Sequence, residues 1–325
     1  TNLLFHLATV LLLFNLVGQL AKKTFPERAP RLFAFTTALL FGTHPLLTEA
    51  VRLPSFRPDI LFMFFTLLHL RTAWTVIEQY SWHWLVRMFA CGLTMLAAIT
   101  SKETGVIAPA LLAWMWVCFP TTRPPRGTMT ILLSMDVLLI LGVAFLSLGG
   151  DPLQAAGGSW NGVSLQPPTN YFTAPWLWVK SLGLLFWPDP LVVDRVVTPV
   201  TSAGSLRFLS GLGLGLGAAG TALFLFKKFP WVSFSLAWML LVFLPVSNLV
   251  PLINPMAERY LYGVVAGASL LCAFFIVKTP VNTYRAIVGV LVTLCILCSF
   301  WRLGTWKDDA TLWNQTLRDE PVSYT

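Results

Sequence analysis

The 325 residues are 56% apolar and 11% charged, which excludes an ordinary soluble domain, where about a quarter of residues carry charge. The formal charge of +8 is spread over short segments between apolar runs and so argues against a nucleic-acid surface. Five cysteines, Cys91, Cys118, Cys272, Cys295 and Cys298, all fall inside apolar runs, where a thiol packs as a small hydrophobe; neither a disulfide framework nor a metal site is expected.

Apolar runs long enough to cross a bilayer recur from end to end. In lipid every backbone N–H and C=O must be paired within the segment, so these runs read as helices, and no regular ten-residue alternation suggests a barrel. The expected fold class is all-α, a polytopic transmembrane helical bundle. The opening "TNLLFHLATVLLLFNLVGQL" has no basic start and no cleavage site, and it carries Asn2, His6 and Asn15. It reads as a span and not a signal peptide, in a chain that begins inside a larger protein.

Spans are expected near 3–20, 32–48, 59–77, 84–100, 105–119, 129–148, 206–226, 230–247, 260–278 and 284–301, about ten in all. Residues 149–205 form an external loop. Within it "APWLWVKSLGLLFWPDPLVV" is aromatic-rich, carries Lys180 and is stopped by Pro188 and Pro190, so it reads as an interfacial or re-entrant helix. The membrane domain is expected over 1–303.

Charge tests this count. With residue 1 outside, the cytoplasmic loops hold Lys22, Lys23, Arg28, Arg31, Arg123, Arg126, Lys227, Lys228, Lys278 and Arg285, with Glu27 and Glu78 as their acids. The other acids, apart from Asp136, fall on the opposite side, as the positive-inside rule requires. "HPLLTEAVRLPSFRPD", "SKETG", "WPDPLVVDR", "LPVSNL" and "NPMAERYLY" then emerge on one extracytoplasmic face, where a site can assemble.

Each of these segments has a bland reading and a functional one. His44, Glu49, Arg52, Arg57 and Asp59 crowd one short turn. They are either a solvated hairpin or a place where Arg57 binds an anionic head group while Glu49 or His44 orients a hydroxyl. Lys102 and Glu103 interrupt two close apolar runs, either as snorkelling charges or as the marker of a polar cavity. Asp136 has no basic partner in its own span. In "AERYLYG" Glu258 and Arg259 precede Tyr260 and Tyr262 at the outer end of a helix, at a depth suited to a lipid phosphate. Asp194 and Arg195 either pair with each other or belong to the site.

"FGTHPLLTEAV", "FRPDILFMFF", "SKETGVIAP", "LGLLFWPDPLVVDR", "FLPVSNLVPL" and "AERYLY", in this order and spacing, resemble the membrane region of the TMTC-like family of O-mannosyltransferases and its bacterial relatives, which have the GT-C fold. The closing "WRLGTWKDDATLWNQTLRDEPVSYT" is similar to the lead-in to their TPR repeats, so 304–325 reads as the start of a cut-off TPR-type region. The resemblance implies a multi-pass enzyme that transfers a sugar, with inversion, from a polyprenyl- or dolichyl-phosphate donor to a protein hydroxyl on the extracytoplasmic face, with no metal or cofactor. It implies Arg57, Arg259 and Lys102 as donor-phosphate ligands and Glu258 as the carboxylate that orients Arg259. Glu103 would line the donor pocket, with His44 and Tyr260 in support and Asp194 and Arg195 on the acceptor-side loop. The family carries its general base in a first external loop, which here would precede residue 1, so Glu49 and Asp59 are the acids left for that role, and activity would need the missing piece. Short loops and few Asn-x-Ser/Thr sequences favour a bacterial inner membrane over the endoplasmic reticulum. The competing readings are a non-catalytic scaffold of the same family and a lipid or solute transporter.

Overall fold

The computed structural model describes residues 1–25, 29–78, 83–119, 127–147, 165, 167–192, 195–305 and 307–319. Residues 149–164, 166, 193 and 194 of the expected external loop, Asp194 among them, lie outside these residues, as do the loop residues Glu27, Arg28, Arg123 and Arg126.

Every regular element among the described residues is helical. Each of the ten expected spans meets a helix: α1 (Asn2–Ala21), α2 (Ala29–Thr43), α4 (Arg57–Glu78) after the short α3 (Thr48–Arg52), α5 (Trp84–Ser101), α6 (Ala108–Cys118) and α7 (Thr128–Ser147). Beyond α8 (Thr169–Phe186) follow α9 (Leu206–Leu225), α10 (Pro230–Phe243), α11 (Tyr262–Ile276) and α12 (Val281–Thr305), then α13 (Asp309–Asp319) in the expected TPR-type region. Seven of these helical segments are long and apolar enough to cross a membrane; those holding α2, α6 and α10 are shorter.

The burial pattern is that of a protein solvated by lipid. On α1 the polar Asn2, His6 and Thr9 are buried, whereas Leu4 is 70% and Leu11 62% exposed. In water that arrangement would be inverted; in hydrocarbon the leucines meet lipid and the polar groups find partners inside. They do so: the His6 ring lies 2.8 Å from the Tyr262 hydroxyl and 3.2 Å from the Gly42 carbonyl, which ties α1 to α2 and α11.

The helices divide into a centre and a rim. The spans that end in α4 and α11 have 61% and 67% of their residues buried, against 11% for α7, α9 and α12. At one end, aromatic packing closes the centre, with the Trp231 ring 4.6 Å from Phe33 and 4.5 Å from Phe119 and its indole N–H donating to Thr24. Lys23 pairs with Glu78 at that same end. All the motif segments lie at the other.

The α8 segment is bonded to the motif end at both of its own ends. Asn170 donates to the carbonyls of Asn248 and Leu249 at 3.1 and 2.9 Å, and the Leu185 carbonyl accepts from His44 at 3.2 Å. A helix fastened in this way lies along the end of the bundle, as an interfacial helix does. Gly211 of α9 permits the close crossing, because a Cβ there would come within 2.1 Å of the Pro175 carbonyl oxygen. Asn248 has φ +69°, a left-handed conformation that asparagine tolerates, and its side-chain oxygen accepts the Leu252 N–H at 2.7 Å.

Candidate functional site

Prolines start the turns of the motif end. Pro45 and Pro54 open short 3-10 turns on either side of α3, where their missing N–H costs nothing, and the His44 side chain accepts from the Leu46 N–H. A backbone N–H donated to Nδ1 leaves the His44 proton on Nε2, which faces the Leu185 carbonyl, so the ring is neutral. His44 lies past the end of α2, and burial pushes its pKa down to about 4 against the pull of that carbonyl.

Glu49, on α3, is 1% exposed. One of its oxygens accepts the Arg259 backbone N–H and the other the Arg259 guanidinium, both at 2.8 Å. Burial raises the Glu49 pKa from the ordinary carboxylate value, and Arg259 draws it back. The Arg259 guanidinium also stacks on Phe56, 4.2 Å from the ring centroid. Held on two sides, the arginine has lost most of the freedom that makes long cations poor site residues.

A second pair stands beside the first. Asp59, in the first turn of α4, is bonded to Lys102, which follows α5. Gly105 makes this turn possible, since a Cβ there would lie 2.5 Å from the Ala98 backbone. The Tyr260 ring joins the pairs, with Lys102 at 5.0 Å and Arg259 at 5.1 Å from its centroid. Three separate stretches of the chain, 49–59, 102 and 259–260, thus place two acids and two cations around one aromatic ring.

Glu258 has a different role from the expected one. The carboxylate on Arg259 belongs to Glu49, and Glu258 instead faces Arg302 near the end of α12, at 3.2 and 3.4 Å. Adjacent residues on one 3-10 turn, Glu258–Leu261, therefore take partners from opposite ends of the chain. Arg302 also donates to the Leu191 carbonyl, and Arg195 lies 3.8 Å from Glu258 while donating to Pro190. Asp194, the expected partner of Arg195, lies outside the described residues.

Two of the expected site residues stand apart. Arg57 donates to Asn2 and Thr1, both at 3.0 Å, at the start of the chain. Glu103 is exposed beside Lys102. Sequence reasoning missed Arg302, a lone cation in the apolar "CSFWRLGTW", whose signal was its position at the end of a span. It also missed the partner of Asp136, which is His69 of α4 at 3.2 Å. Among the described residues no group of three His, Cys, Asp or Glu is placed to hold a metal ion.

An apolar cavity of about 470 Å³ opens next to this cluster, between α2, the end of α8, α11 and α12. His44, Asp189, Ser269 and Arg302 are the polar residues of its wall.

No family model and no solved structure matches the chain. The chain is similar to the protein O-mannosyl-transferase F38B6.6 of Caenorhabditis elegans, with 25% identity over 314 residues, or 89% of this chain. It spans 41% of the length of that relative. The similarity supports the resemblance to TMTC-like glycosyltransferases carried by the motifs.

Proposed function

We propose that the chain is the membrane core of a protein O-mannosyltransferase that uses a polyprenyl- or dolichyl-phosphate sugar and inverts the anomeric carbon. The observation that carries this reading is the convergence of Glu49–Arg259 and Asp59–Lys102 on Tyr260 at one end of a lipid-solvated bundle. The match to a protein named for the same activity supports it.

The chemistry demands what this cluster contains. The acceptor oxygen attacks the anomeric carbon, the bond from that carbon to the phosphate oxygen breaks, and its electron pair stays on the phosphate. Charge therefore grows on the leaving group, where a cation already held in place stabilises the transition state more than the ground state. Arg259 and Lys102 are such cations, and neither must be reoriented during the reaction. The hydroxyl proton passes to a carboxylate. Both Glu49 oxygens are engaged by Arg259, whereas Asp59 is held by a single lysine, so Asp59 is the better placed acceptor and Glu49 the orienting group.

The positive-inside pattern supports an extracytoplasmic site. A transporter would want polar groups along a water path at mid-depth. His69 and Asp136 are both 0% exposed, which favours a structural pair over a path.

The test is transfer of mannose from dolichyl-phosphate mannose to a Ser/Thr-rich peptide by the whole protein, comparing wild type with Asp59→Asn and Arg259→Ala. Loss of transfer in both, measured per folded molecule, is expected. Full transfer in either variant would contradict the assigned roles.

A further inference from the structure

The start of α1 touches both halves of the ion-paired cluster. Asn2 and His6 are buried and stand one helical turn apart, so both side chains leave the same face of the helix. The Asn2 amide nitrogen donates to the Ala50 carbonyl at 3.2 Å and to the Leu53 carbonyl at 2.8 Å, and its oxygen accepts from Arg57 at 3.0 Å. All three partners lie between Glu49 and Asp59 in the chain, so one side chain braces the stretch that separates the two acids. The Leu53 carbonyl also accepts the Phe56 N–H at 3.1 Å, and Phe56 is the ring on which the Arg259 guanidinium stacks.

His6 braces the other half. The Gly42 carbonyl at 3.2 Å only accepts, so the His6 proton is on Nε2, and Nδ1 accepts from the Tyr262 hydroxyl at 2.8 Å. Tyr262 is fully buried, with the Phe41 ring 5.5 Å away, and it opens α11 directly after the turn that carries Arg259 and Tyr260. A single turn of α1 therefore fixes the Glu49–Asp59 stretch against the Arg259–Tyr260 turn. The partners of Asn2 and His6 are carbonyls, Arg57 and Tyr262, not the four charged groups of the cluster, so α1 acts on the chemistry through position.

Stability is a weak reason for the arrangement. Hydrogen bonds between membrane helices contribute on average about 0.6 kcal/mol each, because the polar groups also find partners in the unfolded state. What the bonds secure is a geometry. Transfer needs Asp59 at the hydroxyl and Arg259 at the departing phosphate in the same moment, and an error of about 1 Å between such groups costs about 100-fold in rate.

We propose that Asn2 and His6 are positioning residues for sugar transfer, holding Asp59 at a fixed distance and angle from Arg259. This rests on the glycosyltransferase reading and adds to it the element that sets the internal geometry of the site. Glu49 still orients Arg259 when α1 lets go, so the contribution of α1 is felt in the reacting complex and little in donor binding.

The whole protein in nanodiscs is assayed for transfer from dolichyl-phosphate mannose to a Ser/Thr-rich peptide, with kcat and donor KM measured per folded molecule. Tyr262→Phe removes a single oxygen; it is expected to lower kcat about tenfold while donor KM changes by less than about threefold. His6→Leu should show the same split, and adding Tyr262→Phe to it should cost little more, since the bond is already gone. His6→Gln, whose amide can donate to Gly42 and accept from Tyr262, should recover most of the lost rate. Asn2→Asp keeps the acceptor for Arg57 but loses both donors to Ala50 and Leu53, and is expected to lower kcat by about tenfold as well. A purely structural role would reduce the folded fraction and leave kcat unchanged. Unchanged kcat in all of these variants, or an effect on donor KM alone, would overturn the proposal and leave the glycosyltransferase reading intact. No transfer by folded wild type would instead strike that reading and the positioning role together.

Discussion

Two kinds of buried acid in this molecule are held in opposite ways. Asp136 sits in the middle of α7 and faces the His69 imidazole of α4. Glu49, Asp59 and Glu258 sit at helix ends and face Arg259, Lys102 and Arg302. The mid-helix pair joins a rim helix, of which Thr128, Leu132 and Asp136 are the buried residues, to the centre. A single polar contact there works as a pin, because a charged or hydrogen-bonding group at bilayer depth that loses its partner has no water to turn to. At the helix ends, Glu49 takes both the guanidinium and the backbone N–H of Arg259, Arg302 donates to Glu258 and to the Leu191 carbonyl, and Arg259 and Lys102 share the Tyr260 ring. That is more fixing than a pin needs, and it is what preorganised chemistry needs. The difference between anchoring and preorganisation is therefore visible in the number and kind of partners.

The comparison breaks most sharply at Arg259. Arg259→Lys keeps the charge and the backbone N–H bond to Glu49 but loses the guanidinium's bond to Glu49 and its stacking on Phe56, so transfer is expected to fall about 100-fold or more, with little change in folding. Retained activity would mean that charge alone suffices. Next in size is Arg302→Ala, which strands Glu258 and is expected to cost about 3 to 5 kcal/mol, read as a lower unfolding temperature in detergent. Adding Glu258→Gln should recover part of that loss; no recovery would show that the arginine acts through packing alone.

The pin gives a smaller effect of a different kind. Asp136→Asn is expected to cost about 1 to 3 kcal/mol while leaving the transfer rate per folded molecule unchanged, and a specific loss of rate would move this pair into the mechanism. The smallest effect concerns pH. Because His44 has its pKa lowered to about 4 in the fold, its neutral form is favoured. Its contribution is whole above the unfolded value near 6.5 and is lost as pH falls from there toward 4. Thermal unfolding should show a decline of up to about 2 kcal/mol across that window, and His44→Gln should flatten it.

Much of the fold could be read from the sequence because bilayer solvation is a crude, strong constraint. Long apolar runs bounded by lysines and arginines specify helices without any knowledge of packing. Pro188 and Pro190 after α8, with its interior Lys180, marked it as unlike the spans, and its bonds to Asn248 and His44 hold it at the motif end. The grouping of the motifs at one end was equally legible, since it needs only a parity count of crossings. The pairings were not. Adjacency suggested that Glu258 serves Arg259, yet successive side chains on a tight turn leave in different directions, and Glu49 reaches the arginine from more than two hundred residues away. His69 and Asp136 lie on different spans, so neither sequence neighbourhood names the other. Arg302 stands at a span end where no sequence neighbour names its partner, and α12 packs it against Glu258 and Leu191.

The central claim is that Arg259, fixed by Glu49, receives a lipid-linked sugar phosphate. The most direct measurement is equilibrium binding of radiolabelled dolichyl-phosphate mannose to the purified chain in nanodiscs, wild type against Arg259→Ala, at matched thermal stability. The account predicts saturable binding in the wild type and binding weaker by about tenfold or more in the variant, a loss of at least about 1.4 kcal/mol. Equal binding in both, or none in a folded wild type, would contradict it.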